Sequence, residues 1–380
     1  MKVGIMYAQS KEYPNLMMDF IGAIKISLQD YIGTKKIEPV YESIGMGGEG
    51  KVIVEKAEKL LLIDEVNLIV AFMDFPFVEK LQPIFAKSGK LLIIVNTGAN
   101  YPFSWKPLPN VICLCLHYSF CCWLTGKLAV NNQSNKAVVA SSFYDCGYSH
   151  LGSITQSFLN AGGEIAFNYI NKQQKSEDYT VDELTDFLAS NTSIKNILCV
   201  FNSYSGKLFL NKIYSFKNHF PLNLFVSPMM FDNEFIENPA TLNGINIAGY
   251  TSWLEKDFYS TPSFVDKFTE KFNRPATSIS LLGYELGLML ITIFQHKIDA
   301  NDSAAIIELF ASKSFFTPRG ELYFDVETNF FVPPVQKVGL TDELKIENIN
   351  IDQLISQWHE FVENTPPTSY SGWLNTYLCY

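Results

Sequence analysis

Arginine is almost absent from this chain. Only Arg274 and Arg319 occur among 29 basic residues, against 39 acidic ones, and the formal net charge is −10. Nucleic-acid binding needs clustered lysine and arginine to meet phosphates, so this charge balance argues against a nucleic-acid partner. Bidentate recognition of a carboxylate or phosphate by guanidinium groups is also nearly unavailable, which disfavours a phosphorylated ligand.

Long apolar runs are missing as well. Runs such as Leu68–Met73 and Leu286–Phe294 fall short of the roughly 20 residues of a membrane span, so we expect no membrane insertion. The first seven residues, MKVGIMY, read as a core strand and not as an export signal. Seven cysteines, an odd number, fit a reducing compartment. The sequence as written therefore favours a cytoplasmic location, whereas removal of an export signal would imply a periplasmic one.

Patterns that carry catalysis are not found. There is no G-x-S-x-G elbow and no H-E-x-x-H pair, and the five histidines are scattered. The stretch GMGGEG at 45–50 matches a dinucleotide fingerprint literally, but it follows the second predicted strand, and the acids Asp64 and Glu65 precede the next strand. A flexible turn explains it better. We therefore expect no enzyme activity and no cofactor.

A group of cysteines allows two interpretations. Cys113, Cys115 and His117 alternate along the predicted strand Val111–Leu116 and its end. Alternation would place all three on one face, where thiolates and imidazole could bind zinc or copper. Buried cysteine also packs as a small hydrophobe, and the spacing differs from the usual zinc spacings. The core interpretation is favoured, and no metal site is predicted.

Length and apolar content suffice for two lobes. A chain of 380 residues is long for one hydrophobic core, and 47% hydrophobic with 18% charged residues is typical of globular proteins. Strand-like apolar runs alternate with helix-period segments, the pattern of a parallel sheet flanked by helices. Two such series predict an α/β fold with two Rossmann-like lobes.

The most specific pattern lies between Pro262 and Gly339. It contains, in order, PSFVDKF at 262–268, LGYE at 282–285, PRGELYFD at 318–325 and PPV at 333–335. This order resembles the C-terminal half of type I periplasmic binding proteins of the branched-chain amino-acid-binding kind. The resemblance implies a Venus-flytrap fold, in which three crossovers join the lobes and a hinge closes them on a ligand that is bound and not transformed.

The resemblance and the element order together predict the domains. Residues 1–118 plus 252–326 form the N-terminal lobe, 119–251 plus 327–362 the C-terminal lobe, and 363–380 a C-terminal tail that could fold back onto a lobe or join a partner. The family implies the substrate-binding component of an ABC-type uptake system, with a membrane permease as partner. The alternative is a cytosolic sensor of the same fold that acts on a regulatory protein.

Ligand contacts are predicted from the topology. In open α/β lobes, ligands bind beyond the carboxyl ends of the strands, so the loops that follow the strands should supply the contacts. The candidate ligand-binding residues are Gln9, Ser10, Tyr13, Asp74, Phe75, Asn96, Thr97, Gly98, Tyr144, Asp145, Tyr148, Asn202, Tyr204, Met229 and Trp253.

Two amino-acid anchors that the resemblance implies are replaced here. Amino-acid-binding members place a small hydroxyl residue after the third strand, where Phe75 stands, and an acid in the second lobe, where Met229 stands. Burying a zwitterion without those partners would be costly. We therefore expect an amide, an aromatic compound or another apolar metabolite, and not a free α-amino acid. A shift of the alignment by one or two residues would instead make Thr97 a hydroxyl anchor.

Overall fold

The computed structural model describes residues 1–29, 31, 36–75, 77–130, 135–172, 178–216, 221–231, 244–254, 262–341, 343–365, 373–375 and 377. The chain divides into two compact units, and each unit has its own sheet. Unit 1 comprises Met1–Leu116, Glu255–Pro334 and Leu374–Tyr380, and unit 2 comprises His117–Leu254 and Val335–Trp373.

Strands and helices alternate through most of the chain. The strands are β1 (Lys2–Tyr7), β2 (Glu38–Ser43), β3 (Leu68–Phe72), β4 (Leu92–Asn96), β5 (Val111–Cys115), β6 (Lys136–Ser142), β7 (Glu164–Asn171), β8 (Asn196–Val200), β9 (Leu222–Val226), β10 (Ile245–Thr251), β11 (Phe315–Thr317), β12 (Gly320–Asp325), β13 (Phe330–Val332), β14 (Gln336–Leu340) and β15 (Leu344–Asn348). The helices are α1 (Leu16–Gln29), α2 (Gly50–Leu62), α3 (Phe77–Ser88), α4 (Tyr118–Val130), α5 (Ser149–Asn160), α6 (Asp182–Ser190), α7 (Ser203–Phe216), α8 (Pro262–Phe272), α9 (Ser278–Gln295), α10 (Ser303–Ser312) and α11 (Ile351–Asn364).

The sheet of unit 1 has the order β11-β12-β13-β5-β4-β3-β1-β2. Strands β2, β1, β3, β4, β5 and β13 run parallel to one another. Strand β12 pairs antiparallel with both β13 and the edge strand β11. Strands β3, β4 and β5 are buried along their whole length. Their near-continuous apolar sequences fit a parallel sheet that is covered on both faces.

Helix α9 is the apolar centre of unit 1. By length and hydropathy it could cross a membrane, but 72% of it is buried inside the protein, as expected for a core helix. It packs against α1, and its glycines permit the close approach: a Cβ on Gly283 would lie 2.2 Å from the Phe20 carbonyl oxygen. A Cβ on Gly287 would lie 1.6 Å from Ser27 Oγ.

Two of the sequence motifs meet in a buried ion pair of unit 1. Arg319 Nε donates to Glu285 Oε1 at 2.8 Å, and Arg319 Nη2 donates to Glu285 Oε2 at 2.6 Å. Its guanidinium also donates to the Cys115 carbonyl oxygen at 3.3 Å. Both side chains are excluded from solvent, so the LGYE and PRG segments join α9 to the end of β5.

The sheet of unit 2 has the order β15-β14-β10-β9-β8-β6-β7. Strands β6 to β10 are parallel, and β14 and β15 add an antiparallel edge. Apolar clusters cover both faces of this sheet. Side-chain amides on β8, β9 and β10 form a ladder across the sheet. In this ladder Asn223 donates to Asn196 and Asn246 donates to Asn223, each at 3.0 Å.

Two α/β units, each with a mostly parallel sheet flanked by helices, confirm the predicted fold class. The edges of the units differ from those of the predicted lobes. Residues 327–334 belong to unit 1, because β13 pairs with β5. Unit 2 begins at His117 and extends through Trp373, so it includes the first part of the predicted tail.

Candidate functional site

At the carboxyl edge of unit 1 lie eight of the candidate residues. Gln9, Ser10 and Tyr13 follow β1, Asp74 and Phe75 follow β3, and Asn96, Thr97 and Gly98 end or follow β4. Because β4, β3 and β1 are adjacent and parallel, these residues lie at one edge of the sheet.

The Asp74 carboxylate is occupied by the protein's own loops. Its Oδ1 accepts hydrogen bonds from Phe75 N at 2.9 Å and from Asn96 Nδ2 at 3.3 Å, and its Oδ2 accepts from Asn100 N at 3.2 Å. Burial raises the pKa of this carboxyl well above its usual range, against the opposing effect of the backbone donors. Asp74 therefore ties the loop after β3 to the loop after β4.

Several neighbours of Asp74 also serve the local structure. Asn96 Oδ1 accepts from Gly98 N at 2.9 Å, and Ser10 Oγ accepts from Tyr13 N at 3.0 Å. The ring of Phe75 packs on that of Phe330, with 6.2 Å between centroids. These side chains shape the edge of the sheet from within unit 1.

Thr97 stands apart from this network. Its side chain is 0% exposed, and its hydroxyl has no hydrogen-bond partner among the residues that the structure describes. The next residue, Gly98, adopts φ of 73°, a left-handed conformation that glycine tolerates and that turns the chain directly after Thr97. A buried hydroxyl without a partner costs free energy, which a polar ligand atom would offset.

The carboxyl edge of unit 2 carries the other candidates. Tyr144, Asp145 and Tyr148 follow β6, Asn202 and Tyr204 follow β8, Met229 follows β9 and Trp253 follows β10. Strands β6, β8, β9 and β10 are adjacent and parallel, so these loops are neighbours.

Asp145 repeats the role of Asp74. It is fully buried, and its Oδ2 accepts from Ser142 Oγ at 2.6 Å and from Asn202 N at 3.0 Å. Asn202 Oδ1 in turn accepts from Ser205 N at 2.8 Å, as an N-cap of α7 does. In each unit, therefore, a buried aspartate joins two loops that follow different strands.

The aromatic candidates of unit 2 differ in their exposure. The hydroxyls of Tyr144 and Tyr148 lie 3.0 Å apart, and their rings meet edge to face. Tyr204 is 52% exposed, whereas Met229 is buried in a short 3₁₀ turn, Pro228–Phe231. The half-buried Trp253 has a buried indole Nε1, which lacks a hydrogen-bond partner within the described ranges.

One residue of this edge was not predicted from the sequence. Trp373, in the C-terminal tail, donates from its indole Nε1 to the Tyr144 carbonyl oxygen at 2.8 Å. The sequence of the tail is rich in aromatic residues, namely Tyr370, Trp373, Tyr377 and Tyr380, but no pattern assigns them to a particular loop.

The cysteine and histidine run does not form the single face considered from the sequence. Strand β5 ends at Cys115, and His117 has φ of 55°, so the chain turns before the histidine. Cys113 and Cys115 are buried in unit 1 and are not in a disulfide. In unit 2, the His117 ring packs edge-on against Trp358 at 4.9 Å between centroids. The described residues contain no group of three or more potential metal ligands.

The glycine-rich stretch is a turn between β2 and α2. Gly45 and Gly47 have φ of 62° and 74°, and α2 begins at Gly50. The left-handed backbone of this turn accounts for Gly45 and Gly47.

Comparisons with known proteins agree with this geometry. A family model described as periplasmic binding protein matches residues 1–341. An ABC transporter substrate-binding protein from Sphaerobacter thermophilus is similar with a TM-score of 0.73 at 16% identity, over 93% of this chain and 97% of that chain. A solute-binding protein of an ABC transporter from R. palustris in complex with benzoate gives 0.68 at 18% identity, over 92% and 95%. A leucine-binding protein from Thermotoga maritima gives 0.64 at 15%, over 93% and 99%. No match was found among curated proteins.

Proposed function

Because this chain belongs to the periplasmic binding protein family, we propose that it is a solute-binding protein of an ABC-type uptake system. It binds a small molecule in the cleft between the lobes, and hinge closure presents the loaded form to a membrane permease. Closure requires that the ligand make more contacts in the closed form than in the open form. The ligand is released without chemical change.

The observation that carries the proposal is the unpartnered Thr97 hydroxyl. It is buried at the carboxyl edge of its sheet, where ligands of open α/β lobes bind. At the corresponding edge of unit 2, the Trp253 indole Nε1 is a second buried group without a partner among the described residues. Each of these buried groups would gain a hydrogen bond from a polar ligand atom that reaches its own sheet edge.

The two guanidinium groups and the two candidate aspartates favour an uncharged ligand. Arg319 is paired with Glu285, and Arg274 with Asp19, so both guanidinium groups are engaged. The carboxylates of Asp74 and Asp145 accept hydrogen bonds from the protein's own loops. Neither end of a zwitterion would therefore find a charged partner among these side chains.

The aromatic side chains favour a ring. Tyr144 and Tyr148 bring two buried rings and a pair of hydroxyls together on one loop, and aromatic residues bind rings by stacking and edge contacts. We therefore propose an aromatic amide or a similar neutral aromatic compound. The structural relative from R. palustris that was solved with benzoate supports an aromatic ligand. The remaining candidate residues stay predictions.

Native mass spectrometry of the purified protein, followed by extraction of any bound compound, tests this proposal. A neutral aromatic compound recovered intact would support it. Thermal-shift assays would then compare benzamide, 4-hydroxybenzoate and leucine, since a ligand at 100-fold over its Kd stabilises the folded state by about 2.7 kcal/mol. Stabilisation by leucine alone would refute the proposed ligand class, and conversion of the ligand to a product would refute the non-catalytic role.

A further inference from the structure

The tyrosine loop, residues 143–148, is bound from outside by the C-terminal tail. Trp373 N donates to the Gly147 carbonyl oxygen at 3.0 Å, and its indole Nε1 donates to the Tyr144 carbonyl oxygen at 2.8 Å. The indole also meets the ring of Phe143 edge-on, with 6.0 Å between centroids. Trp373 thus contacts the loop at three of its residues, through its backbone N–H at Gly147 and through its side chain at Tyr144 and Phe143.

The indole occupies space that only a glycine leaves open. A Cβ on Gly147 would lie 1.4 Å from Trp373 Nε1 and 1.8 Å from Cδ1, and the three nearest atoms all belong to Trp373. Gly147 does not have a left-handed φ, so its backbone does not require glycine. The position is instead fitted to the tryptophan.

The same loop carries proposed ligand contacts. It contains Tyr144 and Tyr148, whose buried hydroxyls pair with each other, and Asp145 joins it to Asn202 on the next loop. The tail that binds it lies beyond residue 341, where the match to the family model ends. The tail contact is therefore an addition of this chain to the matched region.

We propose that Trp373 is a positioning residue of the ligand site: it holds the tyrosine loop in its binding conformation, so that the C-terminal tail sets ligand affinity. The inference rests on the proposed function, because it assumes that the tyrosine loop contacts the ligand. Hydrogen bonds to two backbone carbonyls restrict the loop before the ligand arrives, and preorganisation of this kind increases affinity.

Four variants test the role of Trp373. Trp373→Ala removes the side chain, Trp373→Phe keeps a ring but removes the indole donor, and Gly147→Ala displaces the indole by its Cβ. Gly152→Ala is the matched control, since a Cβ there meets nothing within 4 Å. The double variant Gly147→Ala, Trp373→Ala shows whether the two changes act through one contact.

Two measurements are made on the full-length protein. Hydrogen exchange of the amides at 143–148, without ligand, should accelerate about fivefold in Trp373→Ala and Gly147→Ala, less in Trp373→Phe, and no further in the double variant. The Kd for benzamide should rise about fivefold in the same variants. Gly152→Ala should leave both quantities unchanged.

The outcomes separate this inference from the proposed function. Unchanged exchange in Trp373→Ala would overturn the positioning role. Faster exchange with an unchanged Kd for benzamide would overturn the link between the tail and affinity. If the wild-type protein is not stabilised by any of the tested compounds, the proposed ligand class fails whichever residue stands at 373, and the exchange result still decides whether Trp373 holds the loop.

Discussion

Replacing Thr97 by valine should stabilise the protein, whereas the same replacement at Thr125 should destabilise it. Both side chains are 0% exposed. The Thr125 hydroxyl donates to the Cys121 carbonyl oxygen at 2.8 Å and accepts from Tyr250 N at 3.0 Å, while the Thr97 hydroxyl has no partner among the described residues. The two threonines are therefore equally buried and differ in the hydrogen bonds of their hydroxyls.

The sizes of both effects follow from that difference. A buried polar group without a partner costs about 1–3 kcal/mol, so Thr97→Val should raise the free energy of unfolding by about 1 kcal/mol. Thr125→Val leaves the Tyr250 N–H without its acceptor and should lower that free energy by about 1–3 kcal/mol. Urea unfolding, followed by fluorescence and far-UV circular dichroism, measures both without ligand.

The ligand then distinguishes function from structure. Benzamide should stabilise Thr97→Val less than the wild-type protein, because the valine offers no hydroxyl, while Thr125→Val should keep the full ligand-induced increase. Destabilisation of unliganded Thr97→Val would refute the reasoning, since it would mean that the hydroxyl already has an internal partner. An unchanged response to benzamide would remove Thr97 from the ligand site.

Other predictions concern the core and the closure of the lobes. Glu285→Gln should lower the free energy of unfolding by about 3–5 kcal/mol because it leaves Arg319 buried without its counter-charge, whereas breaking the exposed pair of Lys337 and Glu347 should cost under about 1 kcal/mol. Replacing both Glu285 and Arg319 by apolar residues should cost much less than either single change in urea unfolding; additive losses would contradict this. Burial lowers the pKa of His150 to about 3, so the unfolded state binds the extra proton below about pH 6.5, and stability should fall by up to about 1.4 kcal/mol per pH unit as the pH decreases. His150→Gln should lose that dependence between pH 6.5 and 4, and an equal slope in both proteins would contradict the assignment. Small-angle scattering with and without a tight ligand should differ if the lobes close, and superimposable profiles would exclude closure.

The fold could be predicted because its signals are distributed along the chain. Alternating strand and helix patterns identified the α/β class, and the order of motifs from Pro262 to Gly339 identified the family. Topology alone predicted that the candidate loops lie at the carboxyl edges of the sheets. The sheet to which β13 belongs could not be predicted, because the pairing of β13 with β5 joins segments that are far apart in sequence.

The roles of individual polar residues were harder to predict. Asp74, Asp145 and Asn202 follow strands, where ligand contacts are expected, but their oxygens accept hydrogen bonds from the protein's own loops. Sequence shows which residues are polar and not which way a carboxylate points. The contact of Trp373 with Gly147 could not be predicted from the sequence either, because it depends on where the tail lies in the folded protein.

The pairing of β13 with β5 also has a consequence for synthesis on the ribosome. Strand β5 is complete early, but its outer edge stays bare until the whole parallel series β6 to β10 has been translated. During that interval the nascent chain carries an unpaired, apolar strand edge, which is a template for wrong pairing. Nascent chains arrested before Phe330 should therefore be more sensitive to protease within unit 1 than chains arrested after Val332. The order of the strands along the chain therefore exposes this edge to wrong pairing before the chain leaves the ribosome.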